Sequence, residues 1–352
     1  MIRPVDVLVV GGGQAGLAAG YYLRRAGADF VILDAQDRPG GAWRHTWDSL
    51  RLFSPAQYSS LPGRMMPQPP GGGYPSANDT VSYLTDYERR YEFPIVRPVT
   101  VKAVRPDANR LLAETDQGGW AARIVVSATG SWSRPYVPHY PGISDFQGEQ
   151  LHTVDYRDPE PFRGQRVVVV GGGNSAAQIV AELSTAAQPT WVARRPPRLL
   201  PDDIDGRALF DLATRRHRAA LAGQSDEGVG GLGDIVAVPA VREARDRGAL
   251  KAEPMFSRIT PTGVAWADGS QLACDAIIWC TGFRPALGHL APLRLRRPDG
   301  LILTEGTRAV AEPRLHLLGY GDWTGSASAT LIGAGRTARQ MVAEITRQLQ
   351  AS

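Results

Sequence analysis

Two glycine-rich loops of one design constrain this chain more than any other feature. The first is Gly11-Gly12-Gly13-Gln14-Ala15-Gly16, directly after the apolar run Val5 to Val10. The second is Gly171-Gly172-Gly173-Asn174-Ser175-Ala176, directly after Val167 to Val170. A glycine-rich turn between a strand and a helix is common, so either loop alone would decide little. Together, each after a β-branched run and each opening a helix-like segment, they point to two dinucleotides on one polypeptide. Such a loop needs a small residue at three positions. One allows the tight turn off the strand, one lets backbone approach a pyrophosphate, and one lets the helix pack closely on the strand. Gly11, Gly13 and Gly16 take these roles in the first loop. Gly171, Gly173 and Ala176 take them in the second, where alanine is accepted at the third position. Gln14 and Ala15, and likewise Asn174 and Ser175, begin the helices whose N–H groups and dipoles would hold the phosphates. Two dinucleotides side by side usually mean electrons passing between them. A flavoprotein that oxidises a nicotinamide is therefore the leading expectation.

Composition excludes other classes. A chain of 352 residues, 43% hydrophobic and 21% charged, is an ordinary globular protein long enough for two domains. Net charge is only +4. Lysine occurs only at Lys102 and Lys251, and the arginines are scattered rather than gathered in a stripe. No nucleic-acid partner is expected. No apolar run approaches a membrane span, and the first strand begins almost at Met1, leaving no room for a signal peptide. A cytoplasmic protein with no membrane partner is the expectation; a homo-oligomer stays open. The two cysteines, Cys274 and Cys280, lack Cys-x-x-Cys spacing, which argues against dithiol chemistry. Cys280 ends an apolar run and reads as a small buried hydrophobe. No His/Cys group has metal-ligand spacing, so no metal is expected.

Periodicity predicts a first βαβ unit: strand Val5–Val10, helix Ala15–Ala26, strand Phe30–Leu33. A helix over Asn78–Tyr91 follows, then strands at Ile95–Val104, Leu111–Glu114 and Ala122–Ser127. Pro135 to Pro141 reads as a connector. A second βαβ unit runs through Arg166–Val170, Asn174–Ser184 and Thr190–Ala193. Gly223–Gly233 reads as a mobile glycine-rich loop. A hairpin turns at Asp268-Gly269, and strands at Ile277–Cys280 and Leu315–Leu318 precede a terminal helix over Ser328–Gln350. The fold expected is α/β, with two Rossmann-like dinucleotide-binding domains, the second inserted in the first. Residues 1–140 and 285–352 would form one domain and residues 141–284 the other.

The two units differ at the tip of their second strands. Asp34 stands there in the first, roughly twenty residues after the glycines, where an acid accepts hydrogen bonds from a ribose hydroxyl. Arg194 and Arg195 stand there in the second. Guanidinium groups clamp a ribose 2′-phosphate that a carboxylate would repel. The first site therefore suits FAD and the second NADPH. Late in the chain, Gly319-Tyr320-Gly321-Asp322 follows a strand. Asp322 could bond a ribityl hydroxyl, and the helix after Gly325 could aim its N-terminus at the flavin.

The residues now on the page resemble those of class B flavin-dependent monooxygenases, the flavin-containing monooxygenase-like family. The sharpest match is Phe146-x-Gly148-x-x-x-His152-x-x-x-Tyr156, just ahead of the second glycine loop. Gly40-Gly41-Ala42-Trp43, Ala128-Thr129-Gly130 and Thr281-Gly282-Phe283 are similar to family motifs, as is Leu50-Arg51-Leu52-Phe53-Ser54-Pro55 before Tyr74-Pro75. The compact length and Trp47-Asp48-Ser49-Leu50-Arg51-Leu52 look most like bacterial members encoded with arsenic-resistance genes, the ArsO type. The resemblance covers essentially the whole chain.

The resemblance implies that NADPH reduces FAD, that a C4a-(hydro)peroxyflavin forms with dioxygen, and that a small soft nucleophile such as trivalent arsenic or a sulfur or nitrogen compound takes one oxygen atom. It adds Gly41, Trp43, Ala128 and Gly130 to the FAD site, and Thr281 and Gly282 to the NADPH site. It gives His152 a part in coupling the domains rather than in proton transfer. Phe53, Ser54, Gln57 and Tyr58 become candidates for the flavin's reactive edge. Many members carry a polar residue, often Asn, where this chain has Phe53, which cannot hydrogen-bond. Two other readings therefore stay open: an NADPH oxidase or reductase that does not oxygenate, and a flavin-binding redox sensor.

Overall fold

The structure is a computed structural model describing residues 2–202, 235–298, 300–325 and 327–351. The glycine-rich stretch Gly223–Gly233 lies outside the described residues. The first βαβ unit is β1 (Ile2–Val10), α1 (Gln14–Arg25) and β2 (Phe30–Leu33). α1 buries Ala15, Leu17, Ala18, Ala19 and Leu23, and Arg24 and Arg25 occupy its last turn, where cations suit the helix dipole. α2 (Ala77–Tyr91) starts at a capping box: Ser76 Oγ accepts the Asp79 N–H and the Asp79 carboxylate accepts the Ser76 N–H. Then come β3 (Ile95–Val96), β4 (Val101–Asp107), β5 (Arg110–Thr115) and β6 (Gly118–Ser127).

The middle of the chain supplies β7 (Glu149–His152), β8 (Arg166–Val170), α3 (Asn174–Leu183), β9 (Gln188–Ala193), α4 (Pro239–Asp246) and β10 (Ala252–Pro254). β11 (Arg258–Thr260), β12 (Gly263–Ala265) and β13 (Gln271–Ala273) form a small antiparallel sheet, the last two turning at Asp268-Gly269. β14 (Ala276–Trp279) follows. The chain ends with β15 (Thr304–Glu305), β16 (Arg308–Ala309), β17 (Leu315–Leu317) and α5 (Leu331–Ala351).

Two large sheets organise these elements. One has nine strands, in the order β15-β16-β17-β6-β1-β2-β3, with β4 and β5 joined through β6. The other has five parallel strands, β10-β9-β8-β14-β7. Strands from both ends of the chain make the first sheet, and strands from residues 149–279 make the second. The parallel strands are apolar on both faces because helices and loops cover both. Val167 to Val170 are all buried, as are Ala276 to Trp279.

The two glycine turns repeat each other bond for bond. Gly11 N–H donates to Leu33 O at 2.8 Å, and Gly171 N–H donates to Val192 O at 2.9 Å. Ala128 N–H donates to Val10 O and Cys280 N–H to Val170 O, both at 2.8 Å. Gly11 has φ +110° and Gly171 φ +152°. A Cβ on either would stand 2.4 Å from a carbonyl oxygen of the neighbouring strand end, Ala128 in one case and Cys280 in the other. Thr-Gly follows each of those residues, at Thr129-Gly130 and Thr281-Gly282.

Several element boundaries depart from the sequence pattern: β1 starts at Ile2 rather than Val5, and β6 at Gly118 rather than Ala122. The strand expected over Ile95–Val104 is broken at Pro98, which has no N–H to give a ladder, into β3 and β4. The terminal helix begins at Leu331 rather than Ser328, because Thr330 Oγ1 accepts the Gly333 N–H at 3.1 Å and caps it there.

Candidate active site between the glycine loops

A groove of about 630 Å³ runs over the ends of β1, β2 and β6. Gly11, Gly13, Gln14, Ala15, Asp34, Gly41, Trp43, Ala128 and Gly130 all line it. Gly16 lies beneath it, where a Cβ would collide with Gly11 O at 1.9 Å. Gly13 faces open space: the nearest atom to a Cβ there is Gly41 Cα at 4.0 Å. α1 has no side-chain cap and no acid in its first turn. Its first N–H groups are thus available to an anion, and the groove fits a dinucleotide.

The second loop is built the same way. α3 also lacks a side-chain cap and a first-turn acid, and nothing lies within 4 Å of a Cβ at Gly173. Ala176 is fully buried against the core. Arg194 and Arg195 are exposed just past β9, and the Arg195 carbonyl lies 4.0 Å from a Cβ at Gly172. Thr281 and Gly282 bond the backbone of Tyr136. Thr281 Oγ1 donates to Tyr136 O, and Gly282 O accepts the Tyr136 N–H at 3.0 Å.

A smaller cavity of about 210 Å³ adjoins the groove, and Trp43 and Ala329 line both. Its walls come from Leu50–Ser54, from Tyr58 and Ser59, from Asn174, Ser175 and Gln178 at the start of α3, and from Ala329–Leu331. The first glycine loop lines the groove and the second lines the cavity, and the two spaces meet at Trp43 and Ala329. Gln14 fixes the junction: its side chain accepts the Trp43 Nε1–H at 2.8 Å and donates to Ala329 O. Of the four flavin-edge candidates, Phe53, Ser54 and Tyr58 line this cavity. Gln57 is exposed and outside the lining. Asp322 is likewise exposed and lines neither space; its carboxylate accepts the Ala327 N–H at 3.3 Å and holds a turn.

His152 is a structural link. Its Nδ1 accepts the Val154 N–H at 3.2 Å, so Nε2 carries the proton and donates to Gly282 O at 2.9 Å. Burial holds its pKa below the usual imidazole value, so it is neutral near pH 7. Four residues on from it, the Tyr156 hydroxyl donates to Glu182 Oε2 at 3.0 Å. Glu182 also accepts from Ser49, and Trp47 packs edge-on to Tyr156 at 6.2 Å between ring centres. One turn earlier on α3, the Gln178 amide accepts the Arg51 N–H at 3.3 Å and donates to Arg51 O at 3.2 Å. The 47–51 segment, which leads into the cavity wall, is thereby clamped to α3.

Several lining residues lacked any sequence signal. His45 stacks on Trp132 at 3.7 Å in the groove wall. The turn carrying Ala128 to Gly130 is held by Tyr320, whose hydroxyl bonds Ser127 Oγ and Thr129 Oγ1, both at 2.8 Å. His289 closes that network on Ser127 at 3.1 Å, and burial pushes its pKa down to about 4. Neither cysteine is paired, and burial raises their thiols to about 11 for Cys274 and about 12 for Cys280. Both are protonated at neutral pH, unlike a redox dithiol. Among the described residues no His/Cys/Asp/Glu group could hold a metal, and no helix is long and apolar enough to cross a membrane.

Comparison with known proteins agrees with this geometry. Residues 8–204 match the model of the pyridine nucleotide-disulphide oxidoreductase family. The solved flavin-containing monooxygenase from Stenotrophomonas maltophilia superposes with a TM-score of 0.91 at 49% identity, covering 99% of both chains. A CzcO-like oxidoreductase of Geobacillus kaustophilus is 33% identical over 79% of this chain and 80% of its own. The Bacillus subtilis oxidoreductase CzcO is 30% identical over 97% of this chain and 99% of its own.

Two predictions follow from the loops and the clamp. Gly16→Ala should destabilise by about 1–3 kcal/mol through overpacking, whereas Gly173→Ala should leave Tm unchanged but weaken NADPH binding at least tenfold. Calorimetry and titration separate the two; a Gly173→Ala protein with full affinity would refute the cradle. Burial, reinforced by Asp158, raises the Glu182 carboxyl to about 7 from an ordinary 4.5. The folded protein then holds an extra proton between those values, and stability falls as pH rises through that window. Glu182→Gln should remove this fall. Its stability relative to the parent should improve by about 1–2 kcal/mol from pH ~5 to pH ~8, measured by urea unfolding at both pH values.

Proposed function

The chain belongs to the flavin-containing monooxygenase branch of the pyridine nucleotide-disulphide oxidoreductase family, FAD- and NADPH-dependent enzymes, and from that premise we propose that it transfers one oxygen atom of dioxygen to a small soft nucleophile. The observation that carries the reading is that the groove lined by the first glycine loop adjoins the cavity lined by Asn174 and Ser175 of the second, with Trp43 and Ala329 lining both. In this reading residues 1–140 and 285–352 hold FAD in the groove, and residues 141–284 hold NADPH. When bound, NADPH supplies a hydride and FAD relays two electrons to dioxygen. The chain's own residues bind, orient and exclude water. The α1 and α3 N-termini hold the pyrophosphates, and Asp34 takes the FAD ribose. Arg194 and Arg195 take the NADPH 2′-phosphate. Leu52, Phe53 and Leu331 keep the shared cavity apolar. Trivalent arsenic, thioethers and amines are the candidate nucleophiles, and the cytoplasm the expected place of action.

A second reading has its own support. Three polar side chains of the cavity are already engaged: Ser54 with Ser59 at 2.8 Å, Asn174 with the Val236 N–H at 2.9 Å, and Gln178 with Arg51. Phe53 adds no hydrogen bond donor. These side chains and Phe53 would offer little stabilisation to oxygen activated on a bound flavin, and release of hydrogen peroxide would then compete with transfer.

The nucleotide assignment predicts that replacing Arg194 and Arg195 with alanine raises the KM for NADPH roughly tenfold or more, the worth of a charge-assisted hydrogen bond, with NADH use nearly unchanged. Equal use of both nucleotides by the parent enzyme would refute it. The activity itself is tested by peroxide yield. Without substrate, NADPH should be consumed with hydrogen peroxide as product. Adding arsenite or a thioether should lower peroxide per NADPH, and Phe53→Asn should lower it further. Peroxide stoichiometric with NADPH across many nucleophiles would favour the oxidase reading.

A further inference from the structure

A cluster of buried charge at the groove contains two residues, Arg97 and Glu88, that the chemistry above does not use. Arg97, between β3 and β4, donates through Nε to Asp34 Oδ2 at 2.9 Å and through Nη1 to Glu88 Oε1 at 2.5 Å. The side chains of Arg97 and Asp34 are only 9% and 7% exposed, and that of Glu88 17%. The pair lies against the glycine turn. A Cβ at Gly12 would stand 2.7 Å from Asp34 Oδ2 and 2.9 Å from Arg97 Nη2. Asp34 itself lines the groove. Its Oδ2 is committed to Arg97, while Oδ1 has only a long 3.3 Å bond from the Gln36 N–H. Oδ1 is thus the oxygen able to take another donor.

We propose that Arg97 is a positioning residue for the first dinucleotide: gripped by Glu88, it pins Asp34 Oδ2 over Gly12 so that Oδ1 meets the adenosine ribose. The proposal rests on the reading that Asp34 binds the FAD ribose. Two physical effects make it useful. A free Asp side chain samples several rotamers, and a ribose hydroxyl must then pay for ordering it; a side chain fixed from behind is ordered beforehand. A bare carboxylate beside a pyrophosphate would also repel it, and the adjoining guanidinium offsets that charge. Burying three charged groups is not itself a source of stability. Their arrangement against the turn is instead suited to fixing one carboxylate geometry. Gly12 fits the same account, since any larger residue would push the pair out of place.

The test uses the full-length apoprotein, with FAD and FMN affinities measured by quenching of flavin fluorescence. FMN lacks the adenosyl half, so it does not report on Asp34. Arg97→Met should weaken FAD about tenfold while leaving FMN unchanged. Arg97→Lys, which keeps the charge, should recover part of the loss. Asp34→Asn should weaken FAD to a similar degree, and the Arg97→Met/Asp34→Asn double variant should be no worse than the weaker single one. If Asp34→Asn leaves FAD affinity unchanged, the ribose assignment of Asp34 fails and the role of Arg97 with it. If Asp34→Asn weakens FAD but Arg97→Met lowers both flavins alike, or neither, Asp34 keeps its role and Arg97 is only structural. Should Arg97→Met fail to fold, Gly12→Ala displaces the pair without removing a charge. It should lower FAD affinity relative to FMN, and an unchanged ratio would overturn the proposal.

Discussion

At each of the two glycine turns the chain passes a carbonyl oxygen too closely to admit a side chain. Gly11 and Gly171 each turn the chain off a strand so tightly that a Cβ would stand 2.4 Å from the last carbonyl of the adjacent parallel strand. Only a residue without a side chain can close that turn, and a positive φ makes it cheaper still for glycine. The turn then places the N-terminus of α1 or α3 at the strand ends, with the first N–H groups unspent. Everything the protein can do with a dinucleotide depends on that placement, and the chain makes it twice with the same pair of backbone hydrogen bonds.

A pair of cradles becomes one site only if they face each other at a fixed distance. The structure supplies that constraint through side chains rather than through a shared sheet. Gln178 and Glu182, one turn apart on α3, grip the backbone of Arg51 and the hydroxyl of Ser49. His152 ties β7 to the Gly282 carbonyl. Both devices act on short loops that lead directly into the cavity wall or the linker.

Buried polar groups elsewhere are kept neutral or paired. His289 and His316 are pushed down to about 4, so neither carries a charge at neutral pH. Glu312 pairs with Arg314, and the Asp34–Arg97–Glu88 cluster pairs its charges in a nearly closed space against the first turn. Burying ions costs more than it returns in stability unless the geometry is used. The Asp34–Arg97–Glu88 cluster stands beside a ligand groove, which Asp34 lines.

The sequence by itself determined the repeated unit. Glycine spacing, β-branched runs and helical periodicity are local properties, and they placed β1, α1, β2, β8, α3 and β9 within a few residues of their observed ends. Short strands such as β7, β10, β15 and β16 were not legible, because two to four residues carry no periodicity and are held in place by the sheets they join. The same distinction governs the site. Gly11, Gly13, Asp34 and Trp43 could be named from their motifs, since those motifs encode backbone shape and strand-end position. Gln57 and Asp322 could be named the same way, yet both face solvent, because a loop's sequence does not say which of its side chains turns inward. Arg97, Gln178 and Glu182 had no motif at all. Their importance comes from partners 63, 127 and 133 residues away along the chain. Only the tertiary structure brings such partners together, since the packing of α2 and α3, not any local preference, sets those distances.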